Sequence, residues 1–390
     1  MNTAFTPHKG TLLSLLFAST LVMMGGAAVA PALPLMSAAF PEIPDAVISF
    51  IVTLPSLAIA LSGFFIGMLA DKIGRIPVLA VSLAVFTLAG ISASFLTSFP
   101  AILAGRVILG FGIAGIAVST TALITDYYQG LSRTKVLGYQ GAAMGIGALI
   151  LETSGGLLAS ISWRTTFLIY CIGLIILIGV LGTMREPARE KTASALPAVK
   201  LPVRTIALAY LTIFLDMLVF FILPAKLPYL VGEIHGESAL ASGVLLGFMG
   251  CFVALMGIVY WRAAARTSLR MRVTAAFAVL GIGCIVLGMA ENLAGITFGV
   301  ILTGMGSGFM VPTVVNWLTS LAPRAVMGKV SGGYTVAFML GQFFSAILAA
   351  AVLMITKTYG SMFVVFGIGA LCAAGLWSIS RFFSPKVSSN

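Results

Sequence analysis

The chain has 390 residues, of which 60% are hydrophobic and only 8% charged. Soluble domains carry about a quarter charged residues, so a water-soluble globular protein is excluded. The net charge of +11 does not point to nucleic acid, because the basic residues sit in short turns between apolar runs rather than on one continuous face.

Twelve apolar runs follow one another, at about 12–35, 47–70, 77–96, 101–124, 136–159, 163–183, 205–231, 241–261, 271–289, 293–318, 330–355 and 359–382. Each is long enough to cross a hydrocarbon core of about 30 Å, which predicts an all-α membrane protein of twelve transmembrane helices. The first run ends in Ala28-Val29-Ala30, as a cleavable signal segment does. Its continuation to Leu35 favours a retained first helix instead. An even number of spans puts both termini on one side. With that side as the cytoplasm, eighteen of the 22 basic residues fall in inside segments, leaving Arg106, Arg164, Lys226 and Lys357. The expected location is therefore a plasma (inner) membrane, crossed many times, with cytoplasmic termini.

The longest polar segment, 185–204, reads as a cytoplasmic linker between six-helix halves at 1–184 and 205–390. The halves show a weak internal repeat: at an offset of 193 residues, Val107-Ile108-Leu109 aligns with Val300-Ile301-Leu302, and Gly115 with Gly308. The same offset places Arg106 on Gly299, Asp71 on Ala264 and Arg75 on Ser268. Those charges exist in one half only, which argues that they serve function rather than the packing both halves need.

Cys171, Cys251, Cys284 and Cys372 lie in or beside apolar runs without paired spacing and are expected to pack, not to bridge or bind metal. His8 and His235 are the two histidines, and both lie outside the runs. An intramembrane hydrolase needs a base beside its nucleophile, and Gly306-Ser307-Gly308 has none in sight. No filter or pore-ring signature of a channel is visible.

The turn after the second run, Gly67-Met68-Leu69-Ala70-Asp71-Lys72-Ile73-Gly74-Arg75, resembles the loop between helices 2 and 3 of the major facilitator superfamily. Arg106-Val107-Ile108-Leu109-Gly110-Phe111-Gly112 is similar to the helix 4 motif of its proton-coupled exporters, and Trp163-Arg164 to a dipeptide of the same drug:proton antiporter branch. The resemblance implies two pseudo-symmetric six-helix bundles, a central cavity and alternating access. It also implies proton-coupled efflux of a small amphipathic molecule such as a drug, a secreted metabolite or a metal chelator. The energy source would be the proton gradient, with no cofactor, in a monomer embedded in the lipid bilayer. One departure matters. Where that branch carries Gly-Pro in helix 5, this chain has Leu151-Glu152, ahead of Gly155-Gly156. A proton symporter importing a small organic metabolite is therefore the alternative.

A charge in mid-membrane costs at least about 2.5–3.5 kcal/mol, so each one needs a reason. Arg106 and Glu152 lie about 8 and 12 Å from the same membrane face by helical rise, which predicts an Arg106–Glu152 pair if their helices are neighbours. Asp216, near the midplane in the seventh run, is the expected carrier of the coupled proton. Lys226, further along that run, either meets an anionic group of the substrate or reaches out to the interface. Gln140, Asn316 and Gln342 either line the cavity or bond helix to helix. Phe220 and Tyr229 are aromatic candidates for substrate contact, and Pro224, Pro228 and Pro312 for bending. Gly67, Asp71, Gly74, Arg75 and Asp126 make up the expected cytoplasmic gate, a charge-assisted latch.

Overall fold

The computed structural model describes residues 7–187, 201–236, 238–323 and 326–379. Among these residues there is no strand. Most of the expected linker, at 188–200, lies outside them.

Eleven helices are long and apolar enough to span a membrane, and a bent pair at the N-terminus raises the number to twelve. In the first half these are α1 (Lys9–Ala27) with the short α2 (Leu33–Ala39), then, after α3 (Asp45–Ile48), α4 (Phe50–Ile73), α5 (Arg75–Ser92), α6 (Phe99–Tyr127) and α7 (Gly130–Ala159). The sixth span comprises α8 (Trp163–Thr166), a 3₁₀ turn and α9 (Ile172–Thr183). The second half contains α10 (Val203–Phe220), α11 (Ile222–His235), α12 (Ala239–Ala264) and α13 (Leu269–Gly288). It ends with α14 (Leu293–Leu321), α15 (Met327–Thr356) and α16 (Tyr359–Ile379). Exposed apolar side chains such as Phe64, Leu88, Ile175 and Ile355 provide the surface that lipid would cover.

Two runs expected to be continuous are broken. The first bends by 55° between Lys9–Met23 and Gly25–Ala39, and α1 stops at Ala27, four residues before Pro31. The seventh breaks after Phe220, four residues before Pro224. A proline has no N–H for the carbonyl four residues back and clashes with it, so both helices end where that carbonyl sits. Pro228 and Pro312, by contrast, are carried inside α11 and α14.

At Gly74 φ is +122°, a conformation that L side chains rarely adopt, and it turns α4 into α5 without a loop. We call the membrane face at this turn the loop face and the other the far face; α1 starts and α16 ends at the loop face.

Within the first half α6 packs on α4 and α5, and within the second α13 packs on α14 and α16. Two seams join the halves, α7 on α12 and α4 on α15. At the first, Gly156 and Gly243 pack backbone to backbone: a Cβ on Gly156 would lie 2.6 Å from the Ala239 carbonyl oxygen, and one on Gly243 2.7 Å from that of Glu152. The contact runs down α7 through Leu149 to Gly145, whose Cβ position is 2.4 Å from Ala254 Cβ. Continuing along the same helical faces, Gly141 and Gly138 on α7 and Gly257 on α12 meet nothing within 4 Å. The seam is thus tight from the far face to mid-membrane and parts toward the loop face.

Candidate functional site

Arg106 is fully buried in α6. Its guanidinium donates to the Ala89 and Gly90 carbonyl oxygens at 3.1 and 3.0 Å, and to Tyr170 Oη at 3.1 Å. It also lies 5.0 Å from the Phe167 ring centre and 5.1 Å from that of Tyr170. Ala89 and Gly90 belong to the last turn of α5, which carries its negative dipole end; Ser92 Oγ of the same turn also donates to the Ala89 carbonyl at 2.8 Å. Arg106 therefore caps α5 sideways and ties it to the sixth span. Gly90 permits this, because a Cβ there would meet the Tyr170 ring at 2.3 Å.

The expected pair with Glu152 is not formed. The helices that carry the two residues scarcely touch, because α7 packs on α1 and α12 instead. Glu152 is buried beside Gly250 of α12, whose Cβ position is 3.9 Å from Glu152 Oε2. That oxygen has no hydrogen-bond partner among the described residues.

Asp216 is fully buried on α10. Ser307 of α14 donates to its Oδ2 at 2.8 Å, while Oδ1 has no partner among the described residues. The serine set aside as a nucleophile thus holds one oxygen of this carboxyl.

Lys226 neither reaches the interface nor stands open to a cavity. It is fully buried at the far face, with Nζ donating to the Asp45 carbonyl oxygen at 3.3 Å and lying 5.2 Å from the Tyr229 ring centre. The break before α11 turns this segment inward, under α2 and α3 of the first half, which is why a residue near a helix end is covered. Around it, Tyr359 Oη donates to Asp45 Oδ2 at 3.1 Å, and Ser37 Oγ and Tyr229 Oη are 2.9 Å apart. Tyr229 and Tyr359 stack with ring centres at 5.4 Å. Sequence reasoning missed Ser37, Asp45 and Tyr359, which lie outside or at the edge of the apolar runs.

Each of the three polar amides bonds helix to helix. Gln140 donates to Ser19 Oγ at 2.8 Å and Asn316 to Tyr260 Oη at 3.3 Å. Gln342 of α15 accepts from Ser56 of α4 at 2.7 Å, across the second seam. Next to it Phe50 and Phe343 stack with centres at 6.1 Å. Phe220 is half-buried at the end of α10. A cavity of about 390 Å³ opens at the far face, lined by Pro31, Ser160, Trp163, Pro228, Ser238 and Ser242 among others, and neither Asp216 nor Glu152 lines it.

At the loop face, Arg75 pairs with Asp126 at the end of α6, donates to the Ala122 carbonyl oxygen at 2.7 Å, and lies 3.9 Å from Asp71. The missed member is Glu186, just after the sixth run, whose carboxylate accepts from the Arg75 and Ile76 backbone N–H groups at 2.8 and 2.9 Å. Those are free donors at the positive end of α5, where an anion is favoured. A Cβ on Gly74 would press on this carboxylate at 3.2 Å. Gly67 faces Val118 of α6 at 3.7 Å from its Cβ position, an ordinary contact that does not require a glycine. All these partners lie in the first half or, for Glu186, at the start of the linker that follows it.

The family model of the Major Facilitator Superfamily matches residues 15–346. The class H tetracycline resistance protein of Pasteurella multocida is 26% identical over 282 residues, covering 68% of this chain and 69% of that protein. The class C tetracycline resistance protein of Escherichia coli is 28% identical over 282 residues, covering 68% and 70%. Among solved structures, that of a D-xylose–proton symporter superposes with a TM-score of 0.79 at 16% identity, covering 96% of this chain and 98% of that one. The chain belongs to the Major Facilitator Superfamily, and it is a multi-pass membrane transporter rather than an enzyme.

Proposed function

We propose that this transporter exports a small amphipathic molecule in exchange for protons, by alternating access, with Asp216 carrying the coupled proton. The observation that carries the reading is the Asp216 carboxyl: fully buried on a mid-membrane helix, held through one oxygen by Ser307, and unpartnered at the other. A carboxyl so placed has no fixed counter-charge that would commit it to one protonation state. The loop face is taken as the cytoplasmic side, in agreement with its basic turns. The parted seam then corresponds to a state open to the cytoplasm, and the Arg75–Asp126 cluster to a gate that closes when the far face opens. Glu152 lies in the seam that must shear in that change, Arg106 ties α5 to the sixth span, and Lys226 belongs to the far-face closure.

The two tetracycline resistance proteins make tetracycline the first compound to test, together with cationic dyes and metal chelators. In everted vesicles an exporter accumulates substrate when the lumen is acid. Accumulation only in right-side-out vesicles supports the second reading, proton symport inward, which Leu151-Glu152 in place of Gly-Pro keeps open.

A further inference from the structure

The two halves differ in how their loop-face charges are satisfied. In the first half Arg75 is met by Asp126, Asp71 and the Glu186-capped turn. The second half has four carboxylates in its sequence from residue 205 on, and none serves this face. Asp216 is buried in mid-membrane, Glu233 and Glu291 sit at far-face helix ends, and Glu237 falls in sequence between two helices that meet there.

Yet the α12–α13 turn, equivalent to the Asp71–Arg75 turn, carries Arg262, Arg266, Arg270 and Arg272 within eleven residues. None of the four forms an ion pair among the described residues. Arg262 and Arg266 are exposed and Arg270 half-buried. Arg272 is anchored, donating to Tyr260 Oη at 2.6 Å, but its Nε is buried without a partner among the described residues. Trp261, 64% exposed at the end of a spanning helix, carries the Arg262 guanidinium 5.0 Å from its ring centre. Indole rings at helix ends settle at headgroup depth, so this pair marks the level of lipid phosphates.

We propose that the α12–α13 turn is a binding site for the phosphate headgroup of anionic phospholipids, a site the first half lacks because its own carboxylates fill the equivalent place. A basic residue that reaches the bound headgroup strengthens its attraction about fivefold, so the three of this turn act together on the order of 100-fold, while basic residues of other turns do not contribute to this site. The role concerns lipid only and stands whether or not transport is proton-coupled.

The test uses purified full-length protein in neutral detergent, titrated with phosphatidylglycerol, phosphatidylcholine or inorganic phosphate. Melting temperature and lipid retained in native mass spectrometry are followed in parallel. Wild type should be stabilised and retain lipid with phosphatidylglycerol alone. The triple variant Arg262→Gln, Arg266→Gln, Arg270→Gln should bind it about 100-fold more weakly. The first-half control Arg133→Gln, Lys135→Gln should keep wild-type affinity. Single Arg266→Gln, at an exposed site, covers the case in which the triple variant misfolds, and should lose about fivefold. Unchanged affinity in the arginine variants, equal loss in the control, or the same effect from inorganic phosphate would overturn the proposal.

Discussion

Tyr359 donates its hydroxyl hydrogen to the Asp45 carboxylate across 3.1 Å, joining two residues 314 positions apart in the chain. Asp45 precedes the second span and Tyr359 opens the last, so this bond closes the far face between the two halves. A hydrogen bond to a charged group contributes about 1.5–3 kcal/mol. Tyr359→Phe should therefore shift the population toward a far-open state by roughly tenfold or more. Spin labels on exposed Glu42 and Glu291, in opposite halves, should show a longer distance in the variant. An unchanged distance distribution would remove this bond from the closure.

Arg106 and Glu152 belong to separate networks, so their effects on stability should add. Arg106→Ala removes a charge-assisted bond from each of the Ala89 and Gly90 carbonyls and from the Tyr170 hydroxyl. Although Ser92 Oγ still donates to Ala89 and Tyr170 Oη to Gly25, the loss should cost about 3 kcal/mol. Glu152→Gln should change stability little, and the double variant should match the sum within about 0.5 kcal/mol. A coupling energy well above that would restore the ion pair expected from the sequence.

The seam between α7 and α12 allows no side chain at Gly156, where a Cβ would sit 2.6 Å from a backbone oxygen. Gly156→Val should wedge the far face apart. Transport should fall at least tenfold while helical content by circular dichroism stays at the wild-type level. Gly141→Val on the same helix, at open space, should transport normally if the seam stays parted there, and should fail if the loop face must close on it. The alternating-access reading predicts failure.

At the loop face, Glu186 offers its charge to the first N–H groups of α5 while Arg75 meets Asp126. Glu186→Gln should lower stability by about 1 kcal/mol, read as a drop in melting temperature. Asp126→Asn should reduce transport strongly, and Arg75→Gln added to it should reduce transport little further, because the pair acts as a unit.

Much of the architecture was legible, and for a plain reason. Lipid demands about twenty apolar residues per crossing, so composition alone marks the spans, and charge in the turns marks their ends. Breaks were harder to see, since Pro55 and Pro312 are absorbed by their helices while Pro31 and Pro224 each stand four residues past a helix end. The site was legible only as a set of residue types. Depth estimates brought Arg106 and Glu152 level but could not say which helices are neighbours. Asp45, Glu186 and Tyr359 escaped because a charge or hydroxyl in a turn is ordinary there, and only the tertiary fold places it across a gate.

The central claim concerns Asp216, and one measurement reaches it directly. Proteoliposomes of wild type and Asp216→Asn should be loaded with the best-transported compound of the panel and compared with and without an imposed pH gradient. The account predicts that the gradient accelerates wild type at least tenfold and leaves Asp216→Asn unaffected, while both perform gradient-free counterflow. Acceleration of Asp216→Asn equal to that of wild type would contradict it.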